Sequence, residues 1–312
     1  MTSLAPGKLI LTGEYAVLRG HSAVTVSVNR YVRSEIKQKT IQKSYFLQEV
    51  VAAMALEFGS RDKSVDVARA VACDSRLFKE GDQKLGLGSS AAVTVSAIHA
   101  VLTSSEKSTE LPLVHRLAHK AHRDAQKRLG ASGSGVDVTT ATFGGVLQVK
   151  GSGDDTPCVF NRSSWPKDLY VSFLFLNQSA STPHFVKSFI EAGDKTKESI
   201  VAIGKASAAF YAAIKDQNPL LAIQAFKNSF EALKLLENSA AMKIIPPKVH
   251  VLAQKASELG GAFKTTGAGG GDVAIGLFDS AANLKRFNLE AEVAGLQLLP
   301  LELENLGVHQ EQ

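Results

Sequence analysis

"KLGLGSSAAVTVSAIHA", residues 84–100, sets two glycines and two serines directly ahead of a mostly apolar run. Small, flexible residues opening a predicted helix (90–104) let the backbone approach a neighbour closely, and the free N–H groups there attract anions. As Gly86-x-Gly88-x-x-Ala91 the stretch matches a dinucleotide fingerprint, but that motif needs an apolar strand before it and "KEGDQK" stands there instead. No Lys-Ser/Thr pair follows the second glycine, so it is not a P-loop either. Two readings remain: a loop-to-helix phosphate cradle, or a Gly/Ser turn that only caps a helix.

The surrounding composition narrows the setting. The chain has 312 residues, 45% apolar and 21% charged, which is ordinary for a globular protein and long enough for two domains. Its net charge of +5 is spread along the sequence without the dense Lys/Arg blocks of a nucleic-acid-binding tail. A modest positive excess suits an enzyme that handles phosphorylated anions. Cys73 and Cys158 lie in unrelated contexts, so neither a disulfide framework nor a thiolate metal site is expected. Apolar runs such as "VVAAMAL" (50–56) and "VSFLFL" (171–176) are far too short to span a bilayer. The N-terminal stretch lacks the pattern of a signal peptide. A cytoplasmic protein without nucleic-acid or membrane partners is the expectation.

Along the chain, residues 4–36 alternate β-rich runs with turn residues: "KLILTGEYAVL", "SAVTVSVN" and "YVRSEI". Residues 45–58 and 113–128 have helical spacing, the second helix broken by "GASGSG". "VTTATFGGVLQVK" (138–150) reads as a strand. The Gly-, Ser-, Asp- and Pro-rich stretch 151–168 marks a boundary, giving parts 1–160 and 161–312. The second part opens on a strong strand, "LYVSFLFL", followed by a helix-rich block from about 184 to 260 and a closing helix and strand. The architecture expected is α+β in two parts, each with one glycine-rich element.

Three more segments carry chemistry. "KTTGAGGGD" places four glycines among Gly267 to Gly271, a backbone freedom too costly for simple punctuation. "LAPGKLILTGEYAVLRG" sets Lys8 in a Pro-Gly turn before a strand and Glu14 after Gly13. "ASGSGVDVTTATFGG" presents Asp137 on a glycine-serine turn, where a carboxylate has no packing role. Taken singly, these segments have competing readings: a flexible hairpin turn for the glycine cluster, a hairpin for the Lys8 segment and an exposed turn for Asp137.

In order and spacing, the four segments resemble the three signature motifs and the catalytic aspartate segment of the GHMP kinases (galactokinase, homoserine, mevalonate and phosphomevalonate kinases), from Leu4 to about Phe278. Within that superfamily the details resemble the phosphomevalonate kinases. Tyr15 stands in "GEYAV" where mevalonate kinases have "GEHAV", and Lys84 precedes "LGLGSS". Gln126, in "AHRDAQ…GSGVDV", occupies the place of the mevalonate kinases' magnesium-holding glutamate, and "SASTPHFV" (179–186) resembles a Ser-rich substrate segment. The chain is shorter than that family between the first two motifs and lacks its aromatic stretch before "SAST".

The resemblance implies transfer of the ATP γ-phosphoryl group to a phosphorylated small-molecule acceptor, with ATP and Mg2+ required. Gly86, Leu87, Gly88, Ser89, Ser90, Ala91 and Lys84 would hold the triphosphate, with the Ser90 hydroxyl on the metal. Lys8 and Asp137 would be catalytic. The acceptor would meet Lys8, Tyr15, Lys84, Ser134, Gly135, Asp137, Ser181, Thr182 and the loop of Gly267, Ala268, Gly269 and Gly270. The implied fold joins an N-terminal ATP-binding domain like ribosomal protein S5 domain 2 to a ferredoxin-like C-terminal domain, with the site between them, as a monomer or homodimer. The alternatives are a mevalonate kinase and a non-catalytic ATP-binding regulatory protein; the presence of both Lys8 and Asp137 counts against the latter.

Overall fold

The computed structural model describes residues 1–37, 44–131, 133–151, 156–178 and 182–311, the side chains of 182 and 183 excepted. The chain begins with β1 (Thr2–Thr12), a 3-10 turn at Ala16–Arg19, β2 (Ser22–Ile36), α1 (Tyr45–Phe58), α2 (Lys63–Arg69) and β3 (Val71–Asp74). A short hairpin of β4 (Lys79–Glu80) and β5 (Gln83–Lys84) leads into α3 (Ser89–Ser104) and α4 (Leu111–Arg128). Next come α5 (Val136–Phe143), β6 (Val146–Lys150), β7 (Val159–Ser163), β8 (Tyr170–Phe175) and α6 (Thr182–Ala192). Helices α7 (Lys197–Lys215), α8 (Pro219–Ala240) and α9 (Pro247–Glu258) precede β9 (Ala262–Thr265) and β10 (Val273–Phe278). The last elements are α10 (Ala281–Val293), β11 (Gln297–Leu299), β12 (Leu303–Glu304) and β13 (His309–Gln310).

Two antiparallel sheets organise these elements, as the α+β expectation requires. The first has the order β13-β1-β2-β6-β7, with β3 and β12 also paired to β2. The second has the order β11-β8-β10-β9. Val24, Val26 and Val28 of β2 and Leu9 and Leu11 of β1 are buried in one core with α3. That helix buries Ala91, Ala92, Ala97 and Ala100, and such small side chains bring its axis close to the strands. A second core gathers Phe263, Phe278 and Phe287 with Leu233 and Leu236 of α8. Among the described residues no helix is long and apolar enough to cross a membrane.

Three local expectations are corrected. The stretch "VTTATF" is not a strand but α5. Its β-branched residues favour strands by propensity, yet Thr139, Thr140 and Thr142 donate their hydroxyls to the carbonyls of Gly135, Val136 and Val138 one turn back. Buried Val136, Val138 and Ala141 then anchor it in the core. Pro6-Gly7 is not a turn; it lies inside β1 at a register shift, Pro6 opposite Tyr31 and Gly7 opposite Val28. "YAVL" begins not as strand but as the 3-10 turn that carries the chain from β1 to β2.

The C-terminal end was expected only as a helix and a short strand. Instead β12 and β13 return to the first sheet, pairing Leu303 with Val28 and His309 with Leu4. Val308 N–H donates to the Thr142 carbonyl at 3.1 Å, so this tail lies against the end of α5.

Candidate active site

The centre of the site is an ion pair beneath a glycine. Lys8 lies in the middle of β1, and its backbone N–H donates to the Leu87 carbonyl at 2.9 Å, tying strand to glycine loop. Its ammonium reaches Asp137 Oδ1 at 3.1 Å; the lysine side chain is only 8% exposed, the aspartate 34%. Asp137 sits in the first turn of α5, after Gly135 in the left-handed conformation. Gly88, with φ of +74°, precedes the first residue of α3, and a Cβ there would lie 3.0 Å from Lys8 Cε and 3.3 Å from Asp137 Oδ2. Two helix N-termini and one ammonium therefore converge on a single point, an arrangement that attracts anions. The structure thus brings Lys8, Gly88 and Asp137 together.

Ser90, in the first turn of α3, shares a hydrogen bond of 3.1 Å with His122 Nε2 of α4. Burial is the main cause holding His122 down to about 4, so the ring is neutral near pH 7 despite the nearby Asp137 carboxylate. His119, His122, Arg123 and Gln126 line a small cleft with Ser134 and Gly135. The Gln126 amide lies where a Cβ on Gly133 would be, at 2.7 Å. His122 was missed from sequence. The signal available was His115, His119 and His122 at helical spacing, which all fall on the buried face of α4.

Neutral buried histidines have a consequence for stability. Burial also holds His99 and His115 down to about 4, while Ser3 and Thr139 bond their rings. A histidine depressed below its unfolded value of 6.5 stabilises the fold fully above pH 6.5. That contribution is lost as pH falls from 6.5 toward 4, by up to about 3 kcal/mol per group. Tm is expected to drop steeply across that window; a Tm flat from pH 7 to 4.5 would contradict the burial of these rings.

The second glycine cluster closes the other side. Asp272, with φ of +55°, lies over the first glycine loop, so that a Cβ on Gly86 would stand 2.6 Å from its Oδ2. Gly270 N–H donates to the Ile244 carbonyl at 2.6 Å, and Gln178 Nε2 donates to the Gly270 carbonyl at 2.5 Å. Tyr15, almost fully buried and with φ of +62°, donates its hydroxyl to the Ala268 carbonyl at 2.5 Å. Beside it, the fully buried Lys264 ammonium meets Glu14 Oε1 at 2.5 Å. Burial drives the Glu14 carboxyl upward and the Lys264 ammonium downward, and each partner's charge opposes the other's shift.

Neither Lys264 nor Asp272 was picked out from sequence. A lysine inside the four-residue buried strand "AFKT" was the available signal, since a buried ammonium requires a partner. Lys84 is exposed on β5 at the entrance to the first loop. Thr182 opens α6, whose Phe185 ring occupies the space a Cβ on Gly270 would need, while Ser181 lies outside the described residues. Among the described residues no cluster of three or more His, Cys, Asp or Glu forms a metal cage.

Comparison with known proteins identifies the family of the chain. Residues 45–145 match the family described as "GHMP kinases N terminal domain" and residues 211–292 "GHMP kinases C terminal". A phosphomevalonate kinase of Streptomyces sp. strain CL190 is 26% identical over 374 residues, covering 95% of each chain. A mevalonate kinase of Archaeoglobus fulgidus is 24% identical, covering 96% of this chain and 99% of its own. The Streptococcus pneumoniae phosphomevalonate kinase solved with phosphomevalonate and AMPPNP superposes with a TM-score of 0.81 at 21% identity, over 97% of this chain and 99% of that one.

Proposed function

Because the chain belongs to the GHMP kinases, and has their two-part α+β fold, we propose that it transfers the γ-phosphoryl group of ATP to the phosphate of (R)-5-phosphomevalonate. An acceptor phosphate oxygen forms the new bond to the γ-phosphorus, the bond to the β,γ-bridging oxygen breaks, and ADP leaves with 5-diphosphomevalonate as product. The observation that carries this reading is the engagement of Asp137 with Lys8 at 3.1 Å beneath the Gly88 loop. A phosphate monoester has a second pKa near 6 and is already largely dianionic at neutral pH, so it needs no base. It needs its repulsion from ATP neutralised, which an ammonium and two helix N-termini supply.

In this reading the N–H groups of the Gly86–Ala91 loop hold the triphosphate, and Ser134, Gly135 and the Gly267–Gly270 loop face the acceptor. Lys84, exposed on its hairpin, attracts phosphates as they enter. Tyr15 acts through Ala268 rather than with a free hydroxyl. Ser181 and Thr182 remain candidates for the acceptor. The Ser90 hydroxyl and the Asp137 carboxylate are hard oxygen donors, and Mg2+ takes one or two such groups together with phosphates and water. When bound, the metal neutralises charge on the transferring group. We also place the division between parts just past the expected 160, after β7 (Val159–Ser163), which still belongs to the first sheet; the strands of 303–310 cross back to that sheet.

Ser90→Ala is expected to lower turnover about tenfold at limiting magnesium, since one ligand among several is lost, and to lower Tm modestly through the lost hydrogen bond to His122. Turnover measured across a magnesium series checks this; an unchanged series removes Ser90 from the metal.

The second reading is mevalonate kinase, favoured by the Archaeoglobus fulgidus relative that covers nearly the whole chain. ADP release with phosphomevalonate, mevalonate or neither acceptor decides between them. Release with mevalonate alone overturns the first reading, and release independent of either acceptor overturns both.

A further inference from the structure

Two neighbouring residues of the β1–β2 connection reach across to the second glycine loop at two separate points. Glu14 pairs with Lys264 on β9, and Tyr15 bonds the Ala268 carbonyl within the loop. Gly13 makes this reach possible. With φ of +90° and a would-be Cβ only 2.5 Å from Ala23 Cα, it takes a left-handed turn against β2 that no larger residue fits, and Tyr15 follows with a positive φ of its own, +62°. Lys264 is held from several directions. Its Nζ also donates to the Thr265 carbonyl at 2.8 Å and lies 5.0 Å from the centre of the Phe226 ring.

Stability alone does not account for the pair. Buried ion pairs are commonly matched or bettered by apolar residues of similar volume, because removing both charges from water is costly. Both side chains of this pair are buried, and Glu14 Oε2 has no hydrogen-bond partner among the described residues. What a directional pair provides and an apolar contact does not is a fixed position. The position fixed here is that of β9 and the loop after it relative to β1, the strand that carries Lys8. Beyond the loop, Asp272 rests on Gly86, so the distance between the two glycine loops follows from where this joint sits.

We infer that Glu14 and Lys264, with the Tyr15 to Ala268 hydrogen bond, form a latch that sets the Gly267–Gly271 loop at its working height above Lys8. Resting on the kinase reading above, this makes Glu14 and Lys264 positioning residues for the acceptor rather than groups that touch it. Loosening the latch raises the acceptor's KM and leaves the triphosphate site, built on α3, nearly intact.

The test uses two variants of the full chain. Glu14→Leu/Lys264→Met removes both charges at similar volume, and Tyr15→Phe removes only the hydroxyl while keeping the ring against Phe189, 5.2 Å away. In the double variant the expected result is a Tm near the parent's and a KM for phosphomevalonate raised about tenfold, with kcat and the KM for ATP changed by less than about threefold. In Tyr15→Phe, amide hydrogen exchange across 267–271 is expected to quicken about tenfold. A stable double variant with the parent's acceptor KM overturns the latch. If the double variant does not fold, parent-like exchange in Tyr15→Phe overturns it instead. Should the parent itself fail to turn over phosphomevalonate, the kinase reading fails, and the exchange measurement still decides the latch.

Discussion

Lys8→Met is expected to lower kcat by about a thousandfold, the scale on which a single cation at a transferring phosphoryl group acts. Lys8 is buried along its stem, so its ammonium is held rather than mobile, and methionine keeps the stem while deleting the charge. The geometry also ranks a second variant. In the proposed reading Asp137 keeps Lys8 in place, and with a dianionic acceptor it would have no proton to remove. Asp137→Asn should therefore cost no more than Lys8→Met, and its deficit should change little with pH. Measuring kcat of both variants with phosphomevalonate from pH 6 to 9 checks the ranking. A larger loss in Asp137→Asn, recovered steeply as pH rises, would instead show obligatory proton abstraction, the behaviour expected with an alcohol acceptor.

The next largest effect is expected at a residue with no side chain. Gly88→Ala places a methyl 3.0 Å from Lys8 Cε and 3.3 Å from Asp137 Oδ2, at a φ of +74°. The backbone term alone costs about 1–2 kcal/mol of stability, which equilibrium unfolding would detect. Lys8 has little room to yield, because its strand and the loop are joined by the Lys8 to Leu87 hydrogen bond. Displacing the ammonium by a fraction of an ångström should lower kcat about a hundredfold. Gly260→Ala is the control. Its φ is also positive, at +78°, but nothing lies within 4 Å of its would-be Cβ and it lies outside the site, so it should lose stability without the same fall in kcat. Equal kinetic losses in the two variants would mean that crowding of the ion pair is not the cause.

Much of the fold was legible because its signals are local. The α3 glycine loop, the helices at 45–58 and 113–128 and the strand "LYVSFLFL", found as β8, announce themselves by period and punctuation. Where the reading failed, tertiary packing had overruled propensity. Threonines that favour strands found carbonyls one turn back in α5, and a Pro-Gly pair that suggests a turn was absorbed as a bulge in β1. Of the site, the glycine loops and the candidates Lys8 and Asp137 were visible through their motifs. The contacts that complete it were not, because they join distant segments: His122 on Ser90, Asp272 over Gly86, Lys264 on Glu14. No spacing rule records the contacts themselves; the helical spacing of His115, His119 and His122 and the lone lysine of "AFKT" only hint that such contacts exist.

The return of β12 and β13 to the first sheet bears on how the molecule comes into being. A ribosome makes β1 and β2 first, yet two of their pairing partners arrive only with residues 303–310. Until then the open edge of β1 and the end of α5 lack their cover, and the nascent chain carries an unpaired sheet margin through the synthesis of everything between. Gly307 sets the fit at that late closure, where a Cβ would fall 1.9 Å from the Thr142 carbonyl. The first sheet is thus completed only by residues 303–310, and without them the glycine loops would sit on a sheet still missing an edge.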